Sequence, residues 1–333
     1  MEDVPELQPI DIVTQRLRGG AHESVSTSFQ AYQRAEPKRR KELLRSVRSV
    51  ADDRSDVLAP HVHELVPFLT DETRSVRLNA AKLFVALSRT DPDAVIDDVD
   101  ALTGRLADEE EFYYVRARSA EALGYVGADY PEAVATPDLL ADLVVGLSFD
   151  EPEVKEKLAK ALAYIALGDP GRLRHRIADL AEHLDAEEEL VRYHLCTALV
   201  AVGSEYPAAL SDATDALSER LEDECPHVRG RAAEALGLVA RTASNDSPLS
   251  DEQLATLAEE SDEPFVTERA RFAAAAGDKT TESTDEIGSL ESIRERTDEI
   301  VDEITSPDHE CPHCGAVVPE NGPPLCPHCG GPY

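Results

Sequence analysis

The chain has 333 residues, 42% of them hydrophobic, and 67 acidic against 33 basic side chains leave a net charge of −34. That length favours a repeat array or two domains over one compact core, and the apolar share is enough to bury a substantial interior. So acidic a chain repels phosphate, so direct nucleic-acid binding is not expected.

The N-terminal stretch "MEDVPELQPIDIVTQ" has neither a basic n-region nor an apolar h-region, so it does not read as a secretion signal. No stretch approaches the roughly 18 consecutive apolar residues that a membrane helix needs. The expectation is a cytoplasmic protein with no membrane partner. Only seven of the basic residues are lysines. An acidic, lysine-poor composition resembles that of proteins from salt-accumulating halophiles such as haloarchaea, where dissolved ions screen the self-repulsion. Such a halophilic chain would lose thermal stability when moved from multimolar to low KCl.

Residues 1–60 read as N-terminal helices, with "AEPKRRKELLRSVRSVA" (35–51) as a divergent first repeat. From residue 61 to 278 a pattern recurs. A Val followed in most copies by Arg or Lys stands at the mouth of an alanine-rich helix at Val76, Val115, Val154, Val191 and Val228, with a degenerate copy at Val266. The intervals are 39, 39, 37, 37 and 38 residues. After each anchor, apolar residues return at helical spacing, as at Ala120, Leu123 and Val126. Before most anchors a shorter apolar pattern ends in an acidic turn carrying Asp71, Asp108, Asp150, Asp185 or Asp223. Links such as "TDPDA" and "GDPGR" stop the second helix with proline or glycine.

The turn aspartate, the Val-Arg pair and the A-x-A-L-G core at 120–124 and 233–237 together resemble HEAT repeats of the short, lyase-type variety. That resemblance implies an all-α fold, a HEAT-like α-solenoid of about six two-helix repeats, with second helices lining a concave face. It also implies that the column Arg77, Arg116, Lys155, Arg192 and Arg229 forms a structural ladder to turn aspartates. Residues 279–308 follow as an acidic linker whose middle places Ile287, Leu290, Ile293, Ile300, Val301 and Ile304 at helical spacing. This amphipathic helix is expected to cap the open end of the stack, or else to serve an oligomer or partner.

The last segment, 309–333, carries "CPHCGAVVPENGPPLCPHCGG". Cys311 and Cys314, then Cys326 and Cys329, supply four thiolates at the pair spacing of a closed tetrahedral zinc site. Between the pairs, an Asn-Gly turn at Asn321-Gly322 fits a short β excursion, so the tail resembles a minimal zinc ribbon. One structural Zn2+ would supply most of its folding free energy. Iron in a rubredoxin-like site is the rival occupant. A Cys-Pro-His-Cys redox motif would need a thioredoxin-like βαβ context, which is missing from the sequence.

Catalytic residues are not identified. HEAT-like architecture does host deoxyhypusine hydroxylase, whose metal centre uses His-Glu pairs near the second-helix starts. The corresponding positions hold none, and a metal-dependent oxidoreductase of this class remains only the alternative reading. The reading favoured here is a non-enzymatic scaffold for protein–protein interaction, with the ribbon as a second docking module. Its candidate partner-binding residues are Arg118, Tyr125, Lys157, Lys160, Tyr164, His194, Arg231 and Arg269, a mildly basic, partly aromatic stripe on the second helices. An acidic protein or peptide would suit them; the same stripe also reads as an ordinary solvated face.

Overall fold

The acidic turn has a local cause. Asp71 accepts a hydrogen bond from the backbone N–H of Thr73 at 2.8 Å, and Asp223 does the same for Cys225 at 2.9 Å. Asp108 makes the same link to Glu110 at 3.1 Å, and at these three turns the side-chain-to-backbone bond reverses the chain just before the second helix. Proline then opens several of those helices, at Pro37, Pro152, Pro226 and Pro264. Its missing N–H costs nothing in the first turn and its φ is already helical.

The computed structural model describes residues 7–242, 251–275 and 287–305, and among these every regular element is helical. The tail cysteines Cys311, Cys314, Cys326 and Cys329, and with them the expected β zinc ribbon, lie outside the described residues. The chain divides into two compact units, Met1–Arg172 and Leu173–Tyr333, a boundary inside the repeat region that the periodicity does not mark.

In unit 1, α1 (Ile10–Arg18) and α2 (His22–Gln33) fold against α3 (Pro37–Asp53). The second helices α4 (Arg74–Thr90), α6 (Tyr113–Asp129) and α8 (Pro152–Gly168) follow, and α3, α4, α6 and α8 pack in sequence. First helices α5 (Val99–Ala107) and α7 (Pro137–Gly146) back them from outside. In unit 2, α9 (Ile177–Ala181), α11 (Thr214–Glu219) and α13 (Asp251–Glu260) are first helices. Their partners α10 (Glu189–Glu205), α12 (Pro226–Ala240) and α14 (Pro264–Ala274) stack in order. All six anchor valines are buried at equivalent places, which makes the chain a helical-repeat protein in architecture.

The glycine of the A-x-A-L-G core marks where consecutive second helices touch. A Cβ on Gly124 would stand 2.7 Å from the Cα of Ala161, and one on Gly237 would stand 2.8 Å from the Cα of Ala273. Backbone cannot yield as a side-chain tip can. Gly124→Val is therefore expected to destabilise unit 1 by about 2–3 kcal/mol, the overpacking range, read from the chemical unfolding midpoint.

Two members of the expected ladder column, Arg77 and Arg192, join neighbouring repeats, and of these Arg192 meets a turn aspartate whereas Arg77 meets a glutamate. Arg77 grips the Glu111 carboxylate with two bonds of 2.6 and 2.8 Å, and its remaining nitrogen donates to the Asp71 carbonyl. Arg192 does likewise with Asp223 at 2.7 and 2.9 Å. Arg40, on the divergent first repeat, reaches Asp71 at 2.9 Å. Arg116 and Arg229 depart from this: Arg116 donates to the Leu106 carbonyl and lies over the Phe149 ring, and Arg229 donates to the Asp223 and Glu224 carbonyls of its own repeat. Among the described residues no helix is long and apolar enough to cross a membrane.

The amphipathic linker segment is helical as expected: α15 (Leu290–Thr305). It does not cap the end of the stack. It lies across the second helices of unit 2, chiefly α10, with Ile293, Thr297, Ile300 and Ile304 buried.

Candidate interaction surface

Three rows of side chains line the second-helix face, at the third, sixth and tenth positions after each anchor valine. In unit 1 they converge on a single acid. Glu121 is buried, and its carboxylate takes a 2.7 Å hydrogen bond from Arg118, one turn earlier on α6. From α8, the ammonium groups of Lys157 and Lys160 each stand 3.6 Å away. Burial alone would raise the Glu121 pKa. Lys157, Lys160 and Arg118 outweigh that and hold it down at about 2. Arg118 also pairs with Glu153 and Lys157 with Glu156, each at 2.6 Å, so three carboxylates balance the three cations and the cluster itself is close to neutral.

Aromatic rings complete the patch. Lys160 donates to the Tyr125 hydroxyl at 2.7 Å, and Tyr125 meets Tyr164 edge to face with centroids 5.1 Å apart. Lys160 also lies over both rings, at 4.8 and 5.5 Å. Arg118 extends to Glu153 at 2.6 Å. The structure therefore brings five of the expected partner residues together: Arg118, Tyr125, Lys157, Lys160 and Tyr164.

Basic side chains beyond the candidate residues give this face its positive charge. Lys82, at the sixth position of α4, is half-buried, and its pKa is lowered by desolvation and by the nearby Arg118, Arg48 and Arg45. Arg45 is exposed and donates to Asn79 at 3.3 Å. The sixth-position row thus reads Arg45, Lys82, Glu121, Lys160 across α3, α4, α6 and α8. The expected stripe omitted Arg45, Arg48 and Lys82. The signal was available: aligning Arg40 with Arg77 puts Arg45 in register with Lys82.

Unit 2 uses the same device differently. Glu234, the equivalent of Glu121, accepts 2.8 Å bonds from Arg231 on its own helix and from Arg269 on the next. Burial works against the charged Glu234, but the two guanidinium groups hold its pKa below the ordinary carboxylate range. Here all three side chains are enclosed, with Arg231 0% and Arg269 1% exposed. His194 is also fully buried. His194, Arg231 and Arg269 were expected on an open face; the structure places them inside, on the helix face where α15 lies. Gly288, just before α15, donates its N–H to the other Glu234 oxygen at 2.9 Å.

Two further clusters were not expected. His22 and His61 stand 3.1 Å apart, and Ser26 bridges His61 and Glu64, which ties α2 to the following repeat. Cys196 and Cys225 are buried and free, and burial pushes Cys196 up to about 12, the mark of an unreactive thiol. Among the described residues no group of three or more His, Cys, Asp or Glu is placed to hold a metal ion.

Comparison with known proteins agrees with this architecture. Residues 177–275 match the sequence pattern of HEAT repeats. No curated protein matches the chain. Among solved structures, an engineered protein superposes with a TM-score of 0.62 at 18% identity, covering 93% of this chain and 89% of that one. A designed armadillo repeat protein gives 0.57 at 19% identity, covering 65% of this chain and 99% of its own. A structure of computationally designed armadillo repeat proteins for modular peptide recognition gives 0.56 at 17% identity, with coverage of 65% and 99%. These likenesses establish a helical-repeat fold.

Proposed function

We propose that the chain is a non-enzymatic interaction scaffold whose second-helix face in unit 1 binds an acidic protein segment. One observation carries this reading: Arg45, Arg48 and Lys82 adjoin the paired Arg118, Lys157 and Lys160 cluster and its two tyrosines, so basic side chains gather on one face of a molecule of net charge −34. A local positive field on so acidic a protein selects partners by charge. The designed armadillo proteins described for peptide recognition share the general fold, which is consistent with such a use of the face.

The test is direct titration of a fluorescent Asp/Glu-rich peptide into the full chain, at the lowest salt that keeps it folded. Arg45→Glu, Arg48→Glu and Lys82→Glu combined should weaken binding at least tenfold without lowering the unfolding midpoint by more than a few degrees. Equal affinity in the triple variant would discard the acidic-partner reading.

The tail belongs to the same proposal as a zinc-held docking module, with Cys311, Cys314, Cys326 and Cys329 as the ligands, on the strength of their spacing. Elemental analysis of the purified chain should return about one zinc per molecule, a stoichiometry typical of a four-thiolate site. Cys311→Ser with Cys326→Ser should abolish it. Iron in place of zinc would instead support the rubredoxin-like rival.

A further inference from the structure

The second-helix face of unit 2 is built for a helix. At the third, sixth and tenth positions α10 carries His194, Thr197 and Ala201, all buried, where α6 and α8 of unit 1 carry Arg118, Glu121, Tyr125 and Lys157, Lys160, Tyr164. Thr197 and Ala201 are short, so this stretch of α10 forms a trough instead of a ridge of long polar side chains, and α10 is buried nearly all round. A second helix that is apolar on every side needs a third layer to cover it. That layer is α15, which presents Ile293, Ile300 and Ile304 along one stripe.

We propose that this trough is a helix-docking site, that α15 is its resident intramolecular ligand, and that a partner's acidic amphipathic helix with the same isoleucine stripe takes its place. The contacts holding α15 are of the kind one helix exchanges with another. Thr297, central in the stripe, spends its hydroxyl on its own helix, donating to the Ile293 carbonyl at 2.6 Å. Glu303 pairs with His227 at 2.9 Å at a half-exposed edge. Gly288 docks with φ +84°, and a Cβ there would meet Phe272 and Leu238 at 2.9 and 3.0 Å. Glu234 has its ion pairs with Arg231 and Arg269 inside the second-helix layer, apart from α15. The outward side of α15 is acidic, with Glu291, Glu295 and Glu299. Tethering gives α15 an effective concentration on the order of mM, so a free helix of equal quality competes poorly until α15 is released.

The test uses the full chain and a labelled peptide of residues 287–305. Ile293→Asp with Ile300→Asp in the chain ejects α15 and leaves the trough untouched. That variant should bind the peptide at least about 100-fold more tightly than the wild-type chain does. A peptide carrying Ile300→Asp should not bind. A folded double variant that ignores the peptide, or a wild-type chain that binds it equally well, would overturn the proposal. If the double variant fails to fold, hydrogen exchange on the wild type decides. The amides of Leu290–Thr305 should exchange well before those of Glu189–Glu205; exchange of both helices together would make α15 core and end the proposal. A wild-type chain that runs as a dimer with α15 swapped between copies would also overturn it, since the trough would then be a self-contact.

Discussion

Glu234→Ala is expected to cost unit 2 about 3–5 kcal/mol, the range for breaking a buried ion pair and leaving charge uncompensated. Arg231 and Arg269 are enclosed, and both point at this one carboxylate. Arg269 also lies over the Phe265 ring at 3.6 Å, a contact that cannot replace a counter-ion. Without the carboxylate two guanidinium groups stay buried with no anion between them, or unit 2 opens to let water in. Denaturant unfolding of wild type and variant measures the loss. A control replaces all three at once, Glu234→Leu with Arg231→Met and Arg269→Met. It should lose much less, because no charge is left behind. A loss under about 1 kcal/mol for Glu234→Ala alone would show the triad to be solvated in solution.

In unit 1 the equivalent acid sets an acid sensitivity. Unfolded, Glu121 titrates near 4.5; folded, it is held at about 2. As pH falls the unfolded chain takes up the proton first, so protonation favours unfolding. The stabilisation is complete above about pH 5 and disappears progressively towards pH 2. A displacement of this size corresponds to about 3 kcal/mol. With 67 acidic residues the whole chain responds to acid, so the informative quantity is a difference. Wild type should exceed Glu121→Gln by that margin at pH 7, and the two curves should converge as pH approaches 2. Parallel curves would place the sensitivity elsewhere.

Much of the fold was legible because its signals are local and repeated. The anchor valines, the turn aspartates and the A-x-A-L-G glycine each report a contact that recurs every 37 to 39 residues. What the periodicity did not reveal was which face of a repeat stays open. Arg118 and Arg231 occupy equivalent positions and look alike in sequence, yet one is part-exposed and the other enclosed. The difference comes from α15, whose place depends on contacts made nearly a hundred residues from α10. The composition of α10 did carry a hint, since His194, Thr197 and Ala201 stand where α6 and α8 bear longer polar or aromatic side chains. Lys82 and the α3 arginines went unread for another reason. Reading one row of positions misses charge that neighbouring rows bring into the same field.

The scarcity of lysine offers the sharpest test of the scaffold reading. With seven lysines in the chain, zero-length carbodiimide coupling to an acidic peptide reports its own site by mass. Lys82, Lys157 and Lys160 lie on the second-helix face of unit 1, whereas Lys155 belongs to the ladder column and Lys38 and Lys41 to the start of α3. Coupling at Lys82 and Lys160, lost on adding excess unlabelled peptide, is the predicted result. Coupling confined to Lys38, Lys41 or Lys155, or none at all, would contradict it.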